Sequence, residues 1–105
     1  MRFRRIDVYV PETHVEAVKT AMFSAGAGAL GLYECCCFQL AGTGQFRPLA
    51  GARPFLGAPD RLEKVREWKL EMLCPAEKIR PVIAALRKAH PYETPAFQHW
   101  AVEIK

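Results

Sequence analysis

The sequence predicts an α+β sandwich in which a four-stranded antiparallel sheet carries two helices on one face, in the order β-α-β, connection, β-α-β. Three observations predict it. Apolar and polar residues alternate with period two near the start, the middle and the end of the chain. Two stretches with helical spacing lie between them. Each helical stretch follows a proline that closes a strand, Pro11 and Pro75. A chain of 105 residues has room for one such domain and not two, so a single domain is expected over 1–105.

The elements follow in order. From Phe3 to Val10, Ile6, Val8 and Val10 share one face, with Arg5, Asp7 and Tyr9 on the other, as in a half-buried strand. Pro11 ends it, and Glu12 and Thr13 suit a helix start. Val15, Val18, Met22 and Ala25 repeat at helical spacing until Gly26 and Gly28 stop the helix. The apolar run Leu30 to Leu40 predicts the second strand. Residues 41–61, rich in glycine and proline, predict a long irregular connection.

Alternation returns from Val65 to Leu73, where Trp68, Leu70 and Met72 oppose Glu67, Lys69 and Glu71. Cys74 and Pro75 end that strand and open a helix with a buried stripe of Ile79, Val82, Ile83 and Leu86. Pro81 falls early enough in it to be tolerated. The segment His90-Pro91-Tyr92-Glu93-Thr94-Pro95 then makes a rigid corner before a last strand, Phe97 to Ile104. Two split β-α-β halves of this kind make the ferredoxin-like fold.

Composition excludes several function classes. Half the residues are hydrophobic and a quarter charged, as in a globule and not a disordered tail. The excess of 15 basic over 11 acidic residues, a net charge of +4, is dispersed, which argues against a nucleic-acid partner. No apolar run approaches the roughly 20 residues of a membrane helix, so no membrane partner is expected. Met1 to Asp7 lacks a signal-peptide core, which predicts a cytoplasmic protein with reduced thiols and no disulfide framework.

The candidate motifs carry different weights. Gly26-Ala27-Gly28-Ala29-Leu30-Gly31 spells a dinucleotide fingerprint, but a helix precedes it and a strand follows. It therefore reads as a helix cap and turn. Gly42, Thr43 and Gly44, followed by Phe46 and Arg47, open the long connection and could let backbone N–H groups approach an anion, with Arg47 and Arg53 assisting; an ordinary loop is the plainer reading. Cys35, Cys36 and Cys37 lack zinc-ligand spacing and read mainly as buried small hydrophobes. His14, His90 and Glu93, with Cys36, are the candidates for a divalent metal, imidazole and thiolate favouring zinc or copper. A histidine closing a helix is also stabilised by the macrodipole with no ligand at all. No nucleophile, base and orienting group can be assembled from the sequence, so no catalysis is expected.

These motifs together carry a resemblance. Val10-Pro11-Glu12-Thr13-His14, the cysteine stretch with Cys36 and Phe38, Gly42-Thr43-Gly44-Gln45-Phe46-Arg47-Pro48 and His90-Pro91-Tyr92-Glu93-Thr94-Pro95 occur in one order. That order resembles the CutA-like, PII-like domain inserted in YqfO-type members of the Nif3-like family, from end to end of the chain and as in members made of that domain alone. The resemblance implies a ferredoxin-like fold and homo-oligomerisation, with a trimer favoured over a dimer. It also implies a regulatory module that engages a small ligand or another protein through the 41–61 connection. Gly42, Thr43, Gly44, Phe46, Arg47 and Tyr92 are then the expected contacts. The parent family's metal ligands lie in flanking regions outside this stretch. The family insert often has Tyr-Asp-His-Cys-Ser-Phe where this chain has Tyr33-Glu34-Cys35-Cys36-Cys37-Phe38.

Overall fold

The computed structural model describes residues 2–104. Its elements are strand β1 (Phe3–Pro11), helix α1 (Val15–Ala25), strands β2 (Phe38–Phe46) and β3 (Glu63–Pro75), helix α2 (Ile79–Ala89) and strand β4 (Phe97–Val102). A single 3-10 turn leads into each helix, Glu12–His14 before α1 and Ala76–Lys78 before α2. The sheet order is β2-β3-β1-β4, and every neighbouring pair is antiparallel. β1 and β2 thus run parallel with β3 between them, and β3 and β4 run parallel with β1 between them. This is the split β-α-β arrangement expected from the pattern.

Register explains which residues are inside. Ile6 pairs with Met72 and Val8 with Leu70, which places these four side chains on one face. Val15, Val18 and Met22 of α1 and Val82 and Leu86 of α2 close over that face, and all nine are buried. Burying each large aliphatic side chain contributes about 1.5–3 kcal/mol, so this layer carries the fold. Pro11 ends β1 at φ −63° and ψ 149°, and α1 stops at Gly26, whose φ of +121° suits glycine. Ala27 N–H then donates to Met22 O at 3.0 Å, satisfying a carbonyl at the helix end. The glycine string is thus a cap, as its context implied.

The second strand is displaced from its expected position. The sequence predicts it over Leu30 to Leu40, whereas β2 runs Phe38–Phe46. Gly31 at φ +58° and Cys35 at φ +59° break extension, and Leu30 and Tyr33 close a tight turn through two backbone hydrogen bonds. Gly42, Thr43 and Gly44 therefore do not open a loop; they lie in β2, opposite Glu67, Arg66 and Val65 of β3. The connection shrinks to residues 47–62. Burial of the cysteine triplet also fails: Cys35 and Cys36 are exposed and Cys37 half-buried, while Cys74 is in the core. The last strand ends at Val102, short of Ile104.

Candidate functional site

The corner after α2 is built around a buried histidine. His90 leaves the helix with extended backbone, as the following proline requires, and its N–H still bonds Leu86 O at 2.9 Å. Its Nε2 lies 2.7 Å from Tyr9 O, and Tyr92 N–H donates to its Nδ1 at 3.2 Å. A carbonyl only accepts and a backbone N–H only donates, so the proton sits on Nε2 and Nδ1 is bare. Burial pushes the His90 pKa below its ordinary value, with the bond to Tyr9 O opposing. The neutral imidazole thereby ties the corner to β1.

Tyr92 extends the corner toward β3. Its hydroxyl donates to Glu67 Oε2 at 2.9 Å. Burial, with the Glu67 carboxylate second, raises the phenol's pKa and keeps it neutral. Glu67 crosses the neighbouring strand over Gly44, where any Cβ would collide with its carboxylate. Gly44 is thus the seat of Glu67. The following residue, Glu93, accepts the backbone N–H of Arg53 on Oε1 at 2.9 Å, which pins the 47–62 connection against the corner.

Aromatic rings stand beside these contacts. Phe46 and Phe55 stand 5.9 Å and 6.3 Å from Tyr92, centroid to centroid, and His14 meets Phe55 edge-on at 5.2 Å. Between connection, corner and sheet lies a cavity of about 390 Å³. Phe46, Arg47, Tyr92 and Glu93 line it, together with Tyr9 and Glu67.

The candidates from the sequence are therefore sorted by the tertiary structure. Phe46, Arg47 and Tyr92 meet at the cavity, and Gly44 supports it from beneath Glu67. Gly42 and Thr43 lie outside it, in neighbouring clefts along β2. Of the metal candidates, Glu93 lines the cavity, His90 spends both ring nitrogens on backbone groups, and His14 reaches Phe55. Cys36 is bonded through its N–H to Gly28 O and lines a different cleft with Leu30 and Phe38. Among the described residues, no three His, Cys, Asp or Glu side chains are grouped to hold one ion. Tyr9, Phe55 and Glu67 are among the cavity residues that sequence reasoning missed. Tyr9 and Glu67 were visible as polar-face residues of their strands, but only the register brings that face to the corner.

The sheet face away from the helices has its own pattern. Asp7 is 3% exposed although it faces away from the apolar core. Arg5 and Lys69 cover its carboxylate at 3.0 Å and 3.5 Å, and both also pair with Glu71. Phe38 and Leu40 on β2 and Trp100 on β4 flank this network and are exposed. β2 and β4 are the edge strands.

Solved structures place the fold. CutA from Xylella fastidiosa superposes with a TM-score of 0.69 at 19% identity, over 98% of this chain and 86% of that one. The topology therefore defines a small ferredoxin-fold domain with the fold seen in CutA. Sequence places it further. The chain is 46% identical over 95 residues to a Mycobacterium tuberculosis protein named GTP cyclohydrolase 1 type 2 homolog, covering 90% of this chain and 25% of that protein. It is 43% identical over 100 residues to the Bacillus subtilis protein of the same name, covering 95% and 27%. A Bacillus cereus protein related to NIF3 superposes with a TM-score of 0.83 at 38% identity, over 98% of this chain and 26% of that one. No family model matches. Nearly all of the chain is therefore similar to one segment of these Nif3-related relatives, and it spans about a quarter of the length of the relatives it matches.

Proposed function

We propose that this protein is a self-associating regulatory module, not an enzyme, that receives a small ligand in the cavity between its 47–62 connection and its His90–Ala96 corner. The observation that carries the reading is the pair of polar bonds that border that cavity. Tyr92 to Glu67 ties the corner to β3, and Arg53 to Glu93 ties the connection to the corner, beside a space of about 390 Å³. Sites of this kind, apolar with a few convergent polar groups, are the usual form of small-molecule pockets. The cyclohydrolase name belongs to relatives most of whose length lies outside the match, so we do not extend that activity to this domain.

Self-association rests on the open sheet face. Exposed Phe38, Leu40 and Trp100 beside a shielded charge network, with unpaired strand edges at β2 and β4, form a surface that a second copy would cover. A trimer is favoured, with a dimer as the alternative. Size-exclusion chromatography with light scattering tests this part, and a monomer at all concentrations overturns it. A ligand screen by thermal shift tests the cavity part. Hits that persist unchanged after replacing Phe55 and Tyr92 with alanine would place the ligand elsewhere.

A further inference from the structure

We propose that the cavity takes a small organic cation: an amine or quaternary ammonium group carried on an apolar body. The inference rests on the cavity being the ligand site and adds the ligand's chemistry. Two features of the lining point to it. The first is charge. Among the lining side chains Glu67 and Glu93 are acidic and Arg47 alone is basic; Arg47 and Glu93 are exposed, and Glu67 is half-buried. Arg53, also on the connection, meets Glu93 with its backbone N–H. The cavity therefore carries a net negative lining, and an anionic ligand would meet two carboxylates for one guanidinium.

The second feature is aromatic. Tyr9, Phe46, Phe55 and Tyr92 all line the space. Phe46 and Phe55 are tilted by 57° and 47° to the Tyr92 ring, so their faces are not spent in parallel stacking on it. Ring faces attract a cation within about 6 Å of the centroid, more strongly where water is excluded. The neutral phenol of Tyr92 already donates to Glu67 Oε2. That bond fixes the carboxylate at the cavity wall while leaving lone pairs for a second donor, such as an ammonium N–H. The oxygen of Glu93 that does not accept from Arg53 is likewise free to accept. An apolar body would rest against Pro48 and Pro54, which also line the cavity.

Four probes test the inference by NMR titration of the full chain. They are choline, benzyltrimethylammonium, the neutral analogue of choline with carbon in place of the ammonium nitrogen, and phenylacetate. Saturable shifts centred on Phe46, Phe55 and Tyr92 are expected with both cations, and binding about tenfold weaker for the neutral analogue, matching a loss of about 1.4 kcal/mol. Glu67→Gln and Phe55→Ala should each weaken cation binding several-fold; Phe55 sits on the connection, so its variant keeps the core intact. Equal binding of choline and its neutral analogue, or tighter binding of phenylacetate, overturns the cation inference and leaves the cavity as a ligand site. Failure of all four probes to shift these resonances overturns the cation inference, while the cavity reading falls only if the thermal-shift screen also finds no ligand there.

Discussion

His90 and Gly44 show how single residues set the corner. The folded state favours neutral His90, because its bare Nδ1 faces Tyr92 N–H and burial lowers its pKa. Its contribution to stability is then complete above the unfolded value of about 6.5 and is lost as pH falls through the lower folded value. Chemical denaturation should show a midpoint that drops on going from about pH 7 to about pH 5, with a shallower drop in His90→Phe. An identical slope in the two proteins would remove His90 from the linkage. At Gly44 even a methyl group displaces Glu67 from its place against Tyr92. Gly44→Ala should cost about 1.5–3 kcal/mol in urea denaturation, the scale of one charge-assisted hydrogen bond. Combined with Tyr92→Phe, which has already lost that bond, the same substitution should cost less.

Among the elements, α2 and the 47–62 connection make opposite predictions. Leu86 is fully buried in the layer between α2 and the sheet, so Leu86→Ala should cost about 2–5 kcal/mol and lower the melting temperature markedly. The connection is closed at its base, where Asp60 N–H donates to Pro48 O at 2.7 Å. Replacing residues 49–59 with a two-residue turn should therefore leave cooperative unfolding and the circular dichroism spectrum nearly unchanged. It should abolish ligand shifts at Tyr92, because Phe55 and the Arg53 N–H that holds Glu93 are both removed. β2 shows why the site was only partly legible. Its glycines read as a loop because glycine is depleted in strands. Here Gly42 lies on the open face of an edge strand, and Gly44 makes room for Glu67.

For the whole molecule, the two sheet faces divide the work. The helix face holds the fold together, while the open face holds the Asp7 network and the exposed rings at its borders. Phe38→Glu, alone or with Trp100→Glu, should lower the mass measured by light scattering without reducing helical content. An unchanged mass in the double variant would move the contact away from this face. Both side chains are exposed, so neither substitution removes core packing.

The sequence by itself determined the layers. Ile6, Val8 and Val10, then Leu70 and Met72, then the helical stripes, specify which faces meet, because periodicity is local and burial follows it. It also marked the His90–Pro95 corner after α2, since proline restricts the backbone wherever it occurs. The tertiary structure alone decided where β2 begins, because a strand exists only where its partner offers matching hydrogen bonds. It likewise decided that Tyr92, from the corner, meets Glu67 across β3 and Phe55 from the connection. Those contacts join residues far apart in the chain, and their pairing is set by strand register, which no local pattern in this sequence encodes.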